Sequence, residues 1–143
     1  MTRTEWISIL AQARRDVLAG LAAGLAAAGR VEVIRPPSPG LLLATVQESA
    51  AAGCFHPGEV LVTTCEVRLD GALGSSVILG FDEDKARHCA VLDAALQAGC
   101  PESGAILQAL RDARGALASA HRAEHEMVDA TRVRFDTMDP QRP

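Results

Sequence analysis

The chain has 143 residues, which is the size of one domain with a substantial core. Its 14 basic and 18 acidic side chains give a formal net charge of -4, so the sequence offers no electrostatic basis for binding nucleic acid or an anionic membrane surface. Apolar residues make up 48% of the chain, yet there are only three Phe, one Trp and no Tyr. We therefore expect an aliphatic core and few aromatic anchors for partners.

An amphipathic pattern starts close to the N-terminus. Thr2 and Glu5 have the spacing of a capping box, and apolar positions then recur at helical intervals. This pattern predicts one helix from about residue 4 to 28, ended by Gly29.

The pair Arg14-Arg15 precedes an apolar run and imitates an export signal. However, Asp16 follows the pair directly, and the run of about 12 residues is shorter than the roughly 20 that a membrane span needs. We expect a cytoplasmic protein without a membrane anchor.

The next segment contains three extended runs. Residues 31–35 predict a short strand that the proline-rich segment 36–40 ends, because proline lacks the N–H that a ladder requires. Residues 41–47 predict a second strand, and 49–58 predict a loop. Alternating residues 59–69, a turn at Asp70-Gly71 and a run to about residue 81 predict an antiparallel hairpin. The two faces expected for its first strand are Leu61, Thr63, Cys65, Val67 and Leu69 against Thr64, Glu66 and Arg68.

Two further helices follow. Asp82 is placed to cap a helix over about 83–98 that Gly99 ends, and a second helix is predicted from about 102 or 103 to 128. Alternation over 131–138 predicts a last strand, and residues after 139 are expected to be disordered. The sequence thus predicts one α+β domain over 1–139 with a disordered tail at 140–143. The antiparallel sheet comprises the central hairpin of about 59–81 with strands near 31–35, 41–47 and 131–138, and it packs with three helices.

The segment 121–125 reads HRAEH and matches the H-x-x-E-H pattern of inverted zinc peptidases. His121 and His125 would face one way on a helix, with Glu124 between them, but zinc needs a third protein ligand and an open water position. Such short patterns occur easily in a helix rich in Ala and charge. We favour a solvated or partner-facing helix and keep a small metal-dependent hydrolase as the alternative.

Other chemistry is weakly indicated. The four cysteines lack C-x-x-C spacing, which favours reduced thiols, and Cys65 and Cys89 occupy apolar phases typical of small buried residues. His56 lies near Cys54 and His88 adjoins Cys89, but neither pair matches a known zinc module; Cys100 stands alone. No glycine-rich nucleotide loop or serine nucleophile motif is present. Glu66 and Arg68 can form surface ion pairs or contact a partner.

Three ordered motifs carry a family resemblance. Residues 58–71 read GEVLVTTCEVRLDG, residues 80–82 read GFD before a helix containing AVLDAA at 90–95, and residues 130–138 read ATRVRFDTM. In this order and spacing they make the chain similar, from about Trp6 onward, to PhnG, the G subunit of the bacterial carbon-phosphorus lyase core complex.

The resemblance implies a role in phosphonate catabolism. With the H, I and L subunits, the family's G subunit takes part in displacing adenine from MgATP by a phosphonate, which yields a ribose 1-phosphonate 5-triphosphate. The I subunit is regarded as the catalytic centre, and the J subunit carries the iron-sulfur cluster and S-adenosylmethionine for carbon-phosphorus cleavage. The resemblance therefore implies a subunit that binds no cofactor itself, with MgATP as a substrate of the complex.

We accordingly expect no catalytic or metal-binding residues here, but an interface with H-, I-, J- and L-type subunits, especially the I type. A homo-oligomer of the isolated chain remains an alternative. The expected partner-facing residues are Trp6, Phe55, His56, Glu59, Glu66, Arg68, Arg132, Phe135 and Met138.

Overall fold

The computed structural model describes residues 1–27, 31–48 and 53–132. In these ranges three strands form an antiparallel sheet in the order β1-β2-β3. The elements in chain order are α1 (Arg3–Gln12), α2 (Arg15–Ala27), β1 (Val31–Gln47), β2 (Cys54–Leu69), β3 (Ala72–Leu79), α3 (Glu83–Ala98) and α4 (Ser103–Ala130). The α+β class is confirmed, with four helices in the described residues instead of the three expected. None of these helices is long and apolar enough to cross a membrane.

The predicted N-terminal helix is divided in two. The capping box is present, since the Glu5 carboxylate accepts from the Thr2 amide and the Thr2 hydroxyl accepts from the Glu5 amide. Ala13 then leaves the helix with φ −61° and ψ 156°. In an unbroken helix Val17 would follow Ala13 on the buried face, but Val17 is 40% exposed and Leu18 is fully buried. The break shifts the buried phase by one residue, so both helices contribute to one core, and the prediction of a single helix was wrong.

Strand β1 continues through the prolines that were expected to end it. It is a single 17-residue strand, with register irregularities between Val33 and Arg35 and between Arg35 and Ser38. β1 lies at an edge of the described sheet, where residues that lack an N–H are tolerated because only one side has a neighbour. The separate strands 31–35 and 41–47 are therefore one element.

Strand β2 begins at Cys54, so residues 54–58 are strand and not the predicted loop. The Asp70-Gly71 turn is confirmed, with φ of 48° and 84° at the two residues. β3 ends at Leu79, opposite Val62, two residues before the predicted end. Of the two faces predicted for β2, the one with Thr63, Cys65, Val67 and Leu69 is buried. Leu61, the first member of that face, is 46% exposed because it lies beyond the end of β3.

Helix α3 packs on the sheet and has the predicted limits. The Asp82 carboxylate accepts from the Lys85 amide at 3.0 Å, and Gly99 ends the helix with φ 65°. Its buried side includes Ala86, Cys89, Ala90, Leu92 and Ala94. Strand β3 comes unusually close to α3 at Gly74, where an added Cβ would lie 2.1 Å from the Ala90 carbonyl oxygen. The chain thus needs glycine here so that β3 and α3 can touch.

Helix α4 is 28 residues long, and only its first half is held by the core. Ile106 and Leu110 are buried and Leu117 is partly buried, whereas residues 118–130 are exposed. Thr131 follows the helix as a turn, with its hydroxyl donating to the Val128 carbonyl at 2.8 Å. Residues 133–138 of the predicted last strand and the tail 140–143 lie outside the described residues.

Candidate subunit interface

Strands β1 and β2 extend together beyond the rest of the sheet. Residues 41–47 of β1 pair with residues 54–61 of β2, and β3 pairs only from Val62 onward. We call this two-stranded extension the β-arm. Apart from Ala44, each of its residues is exposed. Its large apolar side chains, each 37% to 60% exposed, are Leu41, Leu42, Leu43, Val46, Phe55, Val60 and Leu61.

The register assigns these side chains to two faces, because directly opposed residues of antiparallel strands project to the same side. The pairs Leu41–Leu61 and Leu43–Glu59 continue the face on which Thr63 and Cys65 are buried. The pairs Leu42–Val60 and Val46–Phe55 lie on the opposite side. The outer face carries Leu42, Val46, Phe55 and Val60 and is apolar. The core-side face carries Leu41, Leu43 and Leu61 in the half nearest the rest of the sheet, together with Glu59, and Thr45, Gln47 and His56 further out.

The β-arm brings together three of the residues expected at an interface. Phe55 is 51% exposed on the outer face, and Glu59 is exposed on the core-side face. His56 Nδ1 lies 3.2 Å from both the Thr45 hydroxyl and the Ala44 carbonyl oxygen. This contact joins the two strands where their register shifts between Ala44 and Val46. His56 thus has a clear structural role within the β-arm.

Trp6 lies instead at the junction of α1, β3 and α3, where it is partly buried. Its indole N–H donates to Asp93 Oδ1 at 2.9 Å. Arg3 also donates to Asp93, with Nη2 at 2.8 Å from Oδ2, and this bond raises the pKa of the guanidinium. The fully buried carboxylate also accepts from the Ser75 amide at 3.0 Å and from Gln97 Nε2 at 3.0 Å.

Asp93 is the residue of this cluster whose role the sequence analysis did not predict. It lies on the buried face of α3, in phase with Ala86, Cys89 and Ala90. An acidic residue in that phase is the available signal, because a buried carboxylate must be supplied with several donors. The interactions of Asp93 join α1, β3 and α3. Together with the Gln97 bond to the Leu73 carbonyl at 2.7 Å, they occupy part of the edge of β3 that has no neighbouring strand among the described residues.

Glu66 and Arg68 share the outer side of the sheet but do not pair with each other in the structure. Arg68 Nη1 lies 3.1 Å from Glu32 Oε2, and Glu66 Oε1 lies 3.7 Å from Arg35 Nη1. Each pair joins directly opposed positions of β1 and β2. Such exposed pairs contribute about 0–1 kcal/mol each, so their main effect is to favour this register.

The remaining expected interface residues are at the C-terminal end of the chain. Arg132 is exposed and its amide donates to the Asp129 carbonyl at 3.2 Å, just after α4. Phe135 and Met138 lie outside the described residues.

The H-x-x-E-H segment lies on the exposed half of α4, as a solvated or partner-facing helix would. Across residues 1–27, 31–48 and 53–132, no three His, Cys, Asp or Glu side chains are grouped so as to hold a metal ion. The Ser76 hydroxyl is likewise engaged within the fold, because it is buried and donates to the Ala86 carbonyl at 2.7 Å. These observations give no support to the alternative of a small metal-dependent hydrolase.

The cysteine predictions are confirmed where they concern burial. Cys65 and Cys89 are buried, and burial raises the pKa of both thiols, that of Cys89 to about 12. At neutral pH Cys89 is therefore a thiol, and its Sγ donates to the Leu10 carbonyl at 3.4 Å. Cys100 is also buried, 3.7 Å from the Asp70 carboxylate, whereas Cys54 is exposed at the start of β2. Cys65 and Cys89 therefore pack the core and lack thiolate character.

A groove of about 550 Å³ lies between the α1–α2 corner and α4. Half of its lining residues are alanines, with Val17 and Leu117 beside them and Arg14 and Asp112 as charged members. Walls of this kind can hold an apolar group.

The fold and these surfaces define a class of protein: a small α+β domain with a β-arm that exposes large apolar side chains on both of its faces. The chain belongs to the family described as phosphonate metabolism protein PhnG, whose model matches residues 1–139. It is also 34% identical over 110 residues to the alpha-D-ribose 1-methylphosphonate 5-triphosphate synthase subunit PhnG of Rhizobium meliloti (strain 1021). That alignment covers 76% of this chain and 69% of the relative.

Family membership confirms the resemblance carried by the three motifs. Residues 58–71 form part of the β-arm and the central hairpin, and residues 90–95 contain the buried Asp93. The third motif extends beyond the described residues after Arg132.

Proposed function

We propose that this chain is a subunit of an enzyme complex of phosphonate metabolism and supports the step that joins the ribose triphosphate of MgATP to a phosphonate. In that step the bond between ribose C1′ and adenine breaks, adenine leaves, and a phosphonate oxygen forms the new bond to C1′. Family membership and the relative named as a synthase subunit support this assignment. MgATP would be a substrate of the complex, and this chain would bind no cofactor of its own.

The β-arm is the single observation that best supports an auxiliary role. Its seven exposed large apolar side chains suit contact with protein, whereas Glu59 is its single carboxylate and it contains no Lys or Arg. We expect the chain to act in the cytoplasm with H-, I-, J- and L-type subunits, and to contact the I type in particular. The catalytic groups for adenine displacement would then come from a partner.

Co-expression with an I-type subunit tests this proposal. Size-exclusion chromatography should show both chains in one peak, at a larger size than either chain alone. Elution of two separate monomers over several salt concentrations would contradict the proposal. Several concentrations are needed because salt weakens charged contacts while leaving apolar ones in place.

A further inference from the structure

The β-arm departs from the usual design of a solvated sheet. An antiparallel sheet commonly buries one face and exposes a polar one. In the β-arm, Leu41 and Leu43 on the core-side face are 60% and 59% exposed, while Leu42 and Phe55 on the outer face are 47% and 51% exposed. The outer face, and the half of the core-side face that carries Leu41, Leu43 and Leu61, lack the polar composition that water favours, so each needs a cover.

The described part of the chain gives the β-arm little support. Among residues 1–27, 31–48 and 53–132, β1 alone pairs with residues 54–60 of β2, and the Leu61 carbonyl accepts one bond from the Gly80 amide at the base of the β-arm. A two-stranded ribbon without further packing is at best marginally stable in water. Contiguous apolar exposure in a folded protein marks a binding surface. Both considerations require an occupant that contacts the β-arm along its length.

Area distinguishes between possible occupants. The β-arm is about 25 Å long and about 10 Å wide, so each face covers about 250 Å². Two copies of the chain that meet through one face would bury about 500 Å² in total, which is the scale of a crystal contact. Enclosing both faces buries about 1,000 Å² in total, the lower bound for a specific interface. A face-to-face pair of copies would also leave the other apolar face in water.

We propose that the β-arm inserts into a two-walled apolar cleft of a different subunit of the complex, which covers its core-side and outer faces together. This inference rests on the proposed function and adds the surface and its mode of contact. The cleft would be lined mainly by aliphatic and aromatic side chains, because seven of the ten large or charged side chains of the β-arm are apolar. Gln47, His56 and Glu59 are the exceptions, and Glu59 calls for a donor on the core-side wall.

Paired substitutions test each face separately. The variant Leu41→Thr/Leu43→Thr alters the core-side face, and Leu42→Thr/Val46→Thr alters the outer face. Threonine keeps strand propensity, and all four positions are exposed, so the fold should be retained. The matched control is Leu73→Thr/Val77→Thr on β3, where the side chains are 48% and 49% exposed outside the β-arm. Thermal unfolding of each isolated variant checks that folding is unchanged.

The measurement is the Kd of each purified variant for the remaining co-purified subunits. Each face variant should raise the Kd about tenfold or more, because each loses two buried aliphatic contacts, and the control should stay within about twofold. An effect from one face alone, or from neither, would overturn the two-walled cleft. A stable homodimer of the isolated chain that both face variants dissociate would overturn the choice of a different subunit. If the wild-type chain itself fails to bind, the proposed function fails instead.

Discussion

At the residue scale, Asp93 shows how one buried charge can organise several elements. The carboxylate is fully buried, and its donors come from α1, β3 and α3 itself. Removing one partner of such a group is costly because the others are left without an acceptor in a low-dielectric interior. Trp6, expected from sequence at a subunit interface, has its indole N–H bonded within this cluster, and whether its ring also meets a partner stays a prediction.

We expect Asp93→Asn to lower the free energy of unfolding by about 2–4 kcal/mol, because the amide replaces an acceptor with a donor facing several N–H groups. Urea unfolding of the isolated chain measures this. The matched control is Asp112→Asn on the exposed surface of α4, where the change should be below about 0.5 kcal/mol. Equal stability of the two variants would show that Asp93 does not organise the contact.

At the element scale, the sequence predicts those helix and strand boundaries that depend on residues close by in the chain. Helix α3 has both predicted ends because Asp82 and Gly99 are local capping signals. The break after Ala13 has no Pro or Gly to announce it, and it follows from packing two helices on one core. The prediction that the prolines end β1 was wrong, because β1 tolerates them at an edge of the sheet, and the position of a strand depends on the whole sheet. The β-arm was likewise missed, since residues 54–58 carry the loop-like His-Pro-Gly sequence.

The closest contact between elements gives a second stability prediction. A Cβ at Gly74 would lie 2.1 Å from the Ala90 carbonyl oxygen and 2.5 Å from the Ala94 amide nitrogen, so α3 must move away from β3. We expect Gly74→Ala to lower the free energy of unfolding by about 2 kcal/mol or more.

Gly115→Ala is the matched control for that substitution, because it adds the same methyl group inside α4 with nothing within 4 Å. It should raise the free energy of unfolding by about 0.5–1 kcal/mol through helix propensity. If chemical unfolding gave both substitutions the same sign, the close contact between β3 and α3 would be wrong.

At the scale of the whole molecule, core and periphery have different tasks. The core of α1, α2, α3, the first half of α4 and the sheet buries aliphatic side chains together with the Cys65 and Cys89 thiols. The β-arm and the second half of α4 extend from it with their side chains in water. The sequence indicated an assembly role through family motifs and the lack of a recognisable catalytic set. It placed Phe55, His56 and Glu59 at an expected interface, but it did not predict that they lie on an extended β-arm, because the exposure of that extension depends on where β3 ends.

Adenine release by the reconstituted complex, measured as this subunit is titrated in with MgATP and a phosphonate, tests the central claim that the chain acts through assembly. The outer-face variant Leu42→Thr/Val46→Thr should need about tenfold more protein for half-maximal release, yet reach the wild-type rate at saturation. That result would show that the substitution weakens assembly and leaves the chemical step unchanged. A saturating rate well below wild type, with half-maximal release at the wild-type concentration, would contradict the account.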